Sequence, residues 1–578
     1  MKRKIKSGLA DLIAVARGDA PGDLLLKGAR IVEVFSGKII PADVLIFQGR
    51  IAGVGQYQQK AKKVIKLKGK FILPGFIDGH IHIESSLLGL SEFARLAVRS
   101  GTTAVVADPH EIANVLGIRG IDYMIRASRG LPVDIFFTIP SCVPATAMET
   151  SGANLGPREI AGLLARERVV GLAEMMNFPG VIYGDPLVLA KIQAARSAGK
   201  VVDGHSPGLT GKGLAAYTAA GIKSDHECTG IEEAREKLRA GMTIMIREGS
   251  AAKNLKDLLG LVDSGNAHRF MLVSDDRDAE DLREEGEVNS VLARAVKRGL
   301  DPVMAVRMVT INPANYFSLS DRGTIAPGYR ADLVVTNDLK KFIPDLVFKD
   351  GALVAERGKV RVPLPAYRDP RVRGTVRIGK ITEKTFRIPD RGKKVMVIGI
   401  IPNQIVTRSL AVDPRVRKGE IVSDPSRDIL KLAVIERHGK GGGIGLGLVQ
   451  GIGIQRGALA STVAHDSHNL IIVGVEDRDL VLAASAVKKQ GGGYVVVAGG
   501  KIRASLPLPV AGLLSEARAD EIIRGMKKLN RAARELGSKL SRPFSTLSFL
   551  ALPVIPELKL TDQGLVDVGK FQIVSLYE

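Results

Sequence analysis

The segment Gly79-His80-Ile81-His82 closes an apolar run that starts at Phe71 and passes through Pro74-Gly75-Phe76-Ile77-Asp78. Residues two apart on a strand share a face, so His80 and His82 project together. Two convergent imidazoles are natural ligands for a divalent metal of the zinc or iron type. A surface loop with two polar residues is the plainer account of an isolated His-x-His. Here further ligand-type residues stand in matching places and favour the metal. Glu174 ends Val169–Ala173, His205 follows Lys200–Gly204, His226 follows Gly221–Asp225, and Asp275 follows Arg269–Ser274.

Such residues can meet only if the elements before them end on one side. Apolar runs near residues 71–82, 102–108, 132–139, 169–174, 200–205, 222–226, 242–246 and 270–275 alternate with helical stretches. That alternation is the mark of βα units. Eight units in about 250 residues predict an α/β fold of the TIM (β/α)8 barrel type, whose chemistry sits at the C-terminal strand ends. All the ligand-type residues above fall at those ends.

The flanks read as β structure. Asp23–Lys27, Ala29–Val34 and Ala42–Ile46 precede the barrel, and Gly323–Gly328 leads into Ala331–Val335 after it. Beyond a charged, proline-punctuated stretch that starts near Pro363, a further domain is expected. In it Val395–Ile400 and Gly493–Ala498 read as strands, with Gly499-Gly500 as a hairpin turn. Asp520–Leu536 reads as an amphipathic helix with Ile522, Ile523, Met526 and Leu529 on one face, expected to be core. The glycines of Gly441–Gly447 lack the following Lys-Ser/Thr of a phosphate loop, so tight turns and close strand packing account for them. His465 and His468 admit two readings. They belong to a polar turn organised by Asp466 and Ser467, or to a loop that closes over the barrel mouth and contacts a substrate or metal. His110 and Glu111, after the second barrel run, stand in the same position. His268 and His438 lie outside the strand-end pattern and are expected at the surface.

Composition narrows the class. At 578 residues, 45% hydrophobic and 25% charged, the chain has the material for several globular domains. Two isolated cysteines, Cys142 and Cys228, exclude a disulfide framework and favour a reducing compartment. They also exclude the zinc signature that pairs H-x-E with P-C-x-x-C. No apolar run reaches the length of a membrane span. The start Met1–Lys6 is basic like a signal peptide, but Asp11 and Arg17 interrupt the next segment and no cleavage site is evident, so a cytoplasmic location is expected. The net charge of +22 is spread along the chain, aromatics make up only 4%, and no nucleic-acid module is present. A solvated basic surface with no specific nucleic-acid partner is the expectation.

Longer motifs carry a resemblance. They are Pro74-Gly75-Phe76-Ile77-Asp78-Gly79-His80-Ile81-His82-Ile83-Glu84-Ser85-Ser86, Asp108-Pro109-His110-Glu111-Ile112-Ala113-Asn114, Ala173-Glu174-Met175-Met176-Asn177, Asp203-Gly204-His205-Ser206-Pro207, Ser224-Asp225-His226-Glu227 and Ser274-Asp275-Asp276. Ala464-His465-Asp466-Ser467-His468-Asn469 and Leu506-Pro507-Leu508-Pro509-Val510-Ala511-Gly512-Leu513 extend the match to the C-terminal part. The chain closely resembles the microbial adenine deaminases of the amidohydrolase superfamily of metal-dependent hydrolases. The C-terminal motifs are those that point to adenine.

The resemblance implies a β-sandwich built from both flanks (residues 1–70 and 317–385), a barrel over 71–316 and a C-terminal α+β domain over 386–578. It implies two divalent metals per chain, manganese or iron(II) in preference to zinc. His80 and His82 would hold one and His205 and His226 the other, with Glu174 bridging and Asp275 completing the site. A metal-activated water, its pKa brought from 15.7 towards about 7, would attack C6 of adenine, and Asp275 would move the proton. His110, Glu111, His465 and His468 would contact the substrate. Hypoxanthine and ammonia would be released. A homo-oligomer is expected, closed symmetric assemblies being common. Hydrolysis of a cyclic or acyl amide by the same superfamily is the alternative, and a basic binding protein with a closed structural metal site is a third reading.

Overall fold

The computed structural model describes residues 8–58, 61–402 and 404–578. The basic start Met1–Lys6 lies outside the described residues. Parallel pairing joins the barrel strands Phe76–His82, Thr102–Ala107, Asp134–Ile139, Val169–Met175 and Val201–Gly204 in chain order. A second parallel set comprises Ser224–Asp225, Thr243–Arg247 and Phe270–Val273. Asp275–Asp276 then pairs in parallel with Ile81–His82, which brings the last strand back to the first. Asp78 supports that joint: its buried carboxylate accepts the Ser274 N–H at 3.2 Å and the Ser274 hydroxyl.

At the remaining seam, between Val201–Gly204 and Ser224–Asp225, the Lys223 N–H donates to Val202 O at 3.0 Å. Gly204 makes this approach possible, since a Cβ there would stand 2.1 Å from the Ser224 carbonyl oxygen. Helices such as Leu90–Arg99, Ile118–Ala127 and Pro186–Ser197 cover the outside. Asp185 caps the last of these by accepting the Leu187 and Val188 N–H groups, which otherwise lack intrahelical partners.

The apolar run expected as one strand over 71–82 is two strands, divided at Gly75. Phe71–Pro74 pairs antiparallel with Leu333–Thr336 and parallel with Arg30–Ile31, while Phe76–His82 starts the barrel. A Cβ at Gly75 would lie 2.3 Å from Thr103 Oγ1, so glycine lets the chain step from one sheet to the other. Both flanks thus meet in one hydrogen-bonded nine-stranded sheet around a shared core that includes Leu26, Ile31, Val44, Ile72, Leu333 and Phe348. The two strands expected over 23–34 are one, Gly22–Glu33, with a bulge at Gly28, where φ is +75°.

The C-terminal part is built on an eight-stranded mixed sheet that includes Val395–Ile400, Ile429–Ile435, Ile444–Gln450, Leu470–Gly474 and Gly493–Ala498. Gly499 and Gly500, both at positive φ, turn the hairpin into Lys501–Pro507. Gly445 lies so close to the neighbouring strand Leu558–Thr561 that a Cβ would stand 1.8 Å from Thr561 O. The amphipathic helix spans Ala519–Glu535 and buries Ile522, Ile523 and Leu529. Its core is continuous with that of the barrel: Leu88, Leu90 and Phe93 share one apolar cluster with Leu513, Leu514 and Ile522. Cys142 and Cys228 are free and buried. No helix among the described residues is long and apolar enough to cross a membrane.

Replacing Gly204 by alanine is expected to force apart the fifth and sixth barrel strands. Overpacking of this kind costs about 1–3 kcal/mol, to be read as a lowered midpoint in chemical denaturation. An unchanged midpoint would mean that the seam does not depend on the glycine.

Candidate metal centre

His80 and His82 leave the same face of the first barrel strand, and both are buried. Asp275 arrives beside them through the parallel pairing of Asp275 with Ile81. Its Oδ1 lies 3.4 Å from His80 Nε2 and 3.3 Å from His82 Nε2. Asp275 takes φ of +58°, a left-handed conformation that Asp tolerates better than most residues. Glu174 ends the fourth strand with its two oxygens facing different partners. Oε1 is 3.6 Å from His82 Nε2 and 3.5 Å from His110 Nδ1, while Oε2 is 2.7 Å from His205 Nδ1 and 2.9 Å from His226 Nε2. The His80 and His226 rings stack with centroids 4.3 Å apart. The expected strand-end residues therefore occupy one cluster at one barrel mouth, with His110 beside them.

The electrostatics of the cluster set limits on what it can hold. Burial and the neighbouring His226 push the His80 imidazole below its ordinary pKa, so it is neutral at neutral pH. Its Nε2 is buried with no hydrogen-bond partner, as is Asp108 Oδ1. Burial alone would raise the Glu174 carboxyl, but His205 and His226 hold it well below the usual carboxylate range. Ligand atoms fall in overlapping groups: His82, Asp108, His110 and Glu174; His80, Glu174 and His226; His205, His226 and Glu227. A nitrogen and oxygen donor set with unpartnered lone pairs fits a divalent transition metal.

Several participants were not anticipated. Glu227 Oε1 lies 3.3 Å from His226 Nε2 and 3.7 Å from His205 Nδ1. Arg247, at the end of the seventh strand, reaches Glu227 Oε1 at 2.5 Å and Asp275 Oδ2 at 2.6 Å. Burial would raise the Glu227 carboxyl, yet Arg247 and His205 bring it down to about 2. Arg247 satisfies the same strand-end rule that located the histidines, and Glu227 directly follows one of them.

The C-terminal part enters the mouth through the loop 464–469. His465 Nδ1 lies 2.6 Å from Glu111 Oε1, and His468 Nε2 contacts Glu111 Oε2. His468 Nδ1 accepts the Ala464 N–H at 3.1 Å, so Nε2 carries the proton and donates it to Glu111. The turn presents the two rings to Glu111. Fully buried Arg437 holds the loop from behind, donating to His468 O, to Ala511 O at 3.0 Å and to Thr375 Oγ1 at 3.1 Å. His438, expected at the surface, is instead buried, and its Nε2 bonds Ser467 O at 2.8 Å. Burial and the adjacent Arg437 push this ring down to about 3, so it supports the loop as a neutral donor. His268 is exposed.

Between mouth and loop lies a cavity of about 340 Å³, at the small end of the range for ligand sites. Its inner wall includes Glu84, Glu111, Asp276 and His465, and Phe549, Ile523 and Met526 contribute apolar surface. Ile522, Ile523 and Met526, expected as core, thus also face this space. The inner-wall carboxylates follow directly on the cluster: Glu84 lies two residues past His82, Glu111 next to His110, and Asp276 next to Asp275.

Comparison with known proteins agrees along the whole chain. The amidohydrolase family model matches residues 71–354, and the model of the adenine deaminase C-terminal domain matches residues 404–572. The adenine deaminase of Desulfatibacillum aliphaticivorans is 52% identical over 567 residues, covering 98% of this chain and 99% of that protein. Adenine deaminase 2 of Carboxydothermus hydrogenoformans is 50% identical over 569 residues, with 98% and 99% covered. The adenine deaminase of Methanothrix thermoacetophila is 50% identical over 574 residues, again with 98% and 99% covered. With barrel, flanking sheet and C-terminal part all matched at this level, the chain belongs to the adenine deaminase family of the amidohydrolases.

Proposed function

We propose that the protein hydrolyses adenine to hypoxanthine and ammonia at the barrel mouth, with the base held in the cavity beneath the loop 464–469. The observation that carries this reading is the meeting of His80, His82, Glu174, His205, His226 and Asp275 around unpartnered donor atoms beside that cavity. Those residues would hold the divalent cations. Two per chain is our assignment, because the Glu174 oxygens face different imidazoles, with manganese or iron(II) preferred to zinc. A bound cation of this kind brings the pKa of a water from 15.7 towards about 7.

The side chains then have separate tasks. Asp275 Oδ1 takes the proton that the attacking water gives up as it adds to C6, and returns it to the departing amine. Arg247 orients that carboxylate by binding its other oxygen. Glu111, fixed by His465 and His468, forms part of the wall against which the purine lies and keeps the mouth closed to bulk water. A cyclic amidase would share the barrel residues. The match of residues 404–572 to the adenine deaminase C-terminal domain favours adenine instead. Buried, unpaired cysteines accord with a cytoplasmic enzyme.

Ammonia release from adenine should be lost after chelation and restored by manganese or ferrous iron. Silence with adenine despite bound metal would redirect the reading to a cyclic amide. The substitution Asp275→Asn should abolish turnover while most of the metal, measured by elemental analysis, stays bound. Unchanged turnover would remove Asp275 from proton transfer. For His468→Ala, loss of a neutral donor to the buried Glu111 carboxylate is expected to cost about 1.5–3 kcal/mol and to lower kcat/KM for adenine. A variant as stable and active as the parent would show that the C-terminal loop does not support Glu111.

A further inference from the structure

We propose that the Tyr494 hydroxyl recognises the purine by donating a hydrogen bond to its N3. The inference rests on adenine being the substrate. In adenine N3 lies across the six-membered ring from C6. A base whose C6 faces the imidazole–carboxylate cluster therefore turns N3 towards the opposite wall of the cavity. That wall comes from the C-terminal part, and Tyr494, on the strand Gly493–Ala498, is one of its residues.

Neighbouring polar groups of this wall are engaged elsewhere. Lys527 and Arg542 stand at the exposed rim, paired with Glu280 at 2.7 Å and Asp278 at 2.8 Å. His465 and His468 are held by Glu111, and Ser548 Oγ accepts the His465 N–H at 3.3 Å. Tyr494 differs. The residue is only 5% exposed, and among the described residues its hydroxyl has no hydrogen-bond partner. Unlike Glu84 Oε2, however, this oxygen is not sealed from open space, and the cavity is the space that Tyr494 borders. Asp278 at the rim and Glu111 on the inner wall both act on the phenol, and both line the cavity, so the hydroxyl points to the side where they stand. The ring is well fixed. It packs edge-to-face on Phe544 with centroids 5.0 Å apart, and its strand is paired on both sides, with Ala458–Ser461 and Lys501–Pro507.

The chemistry of the two groups matches. N3 carries an in-plane lone pair and no hydrogen, so it can only accept, and a neutral phenol has one proton to give. Burial, Asp278 and Glu111 push the Tyr494 phenol above its ordinary pKa, so the proton stays in place through the neutral range. A buried tyrosine hydroxyl ordinarily finds a partner. Here the protein supplies none, and the bound base completes the pair. A site built around such a bond discriminates against a ring that lacks the acceptor.

The test is a cycle of two proteins and two ligands, which isolates the pairwise contact. Parent and Tyr494→Phe, both metal-loaded, are titrated calorimetrically with hypoxanthine and with 3-deazahypoxanthine, in which CH replaces N3. The substitution removes the hydroxyl and keeps the ring that packs on Phe544. The expected result is a Kd for hypoxanthine weakened by about 3- to 10-fold in the variant, the range for one neutral hydrogen bond. The Kd for 3-deazahypoxanthine should change by less than about 2-fold on the same reasoning, and kcat/KM for adenine should fall by the factor seen with hypoxanthine. An equal weakening for both ligands, or none for hypoxanthine, would overturn the bond to N3. A parent enzyme that deaminates adenine yet binds the two ligands equally would refute this inference alone, whereas one inactive on adenine would refute the underlying function.

Discussion

The arrangement depends on one joint, the return of the last barrel strand to the first. Pairing of Asp275–Asp276 with Ile81–His82 places a carboxylate from the end of the barrel domain between two imidazoles from its beginning. Asp78 makes the joint from inside, bonding Ser274 while its own neighbour in the alternation, His80, points to the mouth. Local sequence cannot create this contact, because its partners lie almost two hundred positions apart, as the Ser274–Asp78 separation of 196 states. The left-handed backbone of Asp275 is the local price of turning the chain at that point.

Gathering so many ionisable groups in a buried mouth is unfavourable unless each is paired. Arg247 bridges Glu227 and Asp275, and Glu174 spans His82 and His110 on one side and His205 and His226 on the other. Two of the exceptions lie within the cluster. His80 Nε2 and Asp108 Oδ1 lack partners within the cluster, and Glu84 Oε2 lacks one just outside it. The first two suit a cation. Arg437 represents the opposite solution: a buried guanidinium brought down to about 9 by desolvation and only partly offset by Glu436, yet surrounded by carbonyl acceptors. Its hydrogen bonds go to the backbone that carries His468, so its burial is coupled to the shape of the mouth.

Much of the site was legible in the sequence because a single rule, polar residues at the ends of short apolar runs, operates locally. The rule located His80, His82, Glu174, His205, His226 and Asp275, and it would also have located Arg247 had cations been considered beside ligand types. What it could not supply was long-range pairing. The run over 71–82 looks continuous, and only the packing of Gly75 against Thr103 reveals that Phe71–Pro74 belongs to the flanking sheet. His438 illustrates the same limit. Gly439 and Lys440 beside it are exposed, which suits a surface turn, but the loop containing Ser467 covers the histidine.

The division of labour between the two parts has a further consequence. Every residue of the imidazole–carboxylate cluster comes from the barrel, whereas the far wall of the cavity and the clamp on Glu111 come from residues beyond 460. The ligand-type cluster and the far wall of the cavity therefore lie on different segments of one chain. They are nonetheless not independent modules. Leu88 and Phe93 of the barrel share a core with Leu513 and Ile522, and Ser515 bonds the backbone of Leu87 and Gly89 directly after the turn that carries Glu84. A shift of the C-terminal part would thus reach that turn through backbone contacts as well as through His465 and His468. The continuous apolar core that joins the two segments fixes how the far wall of the cavity sits over the barrel mouth.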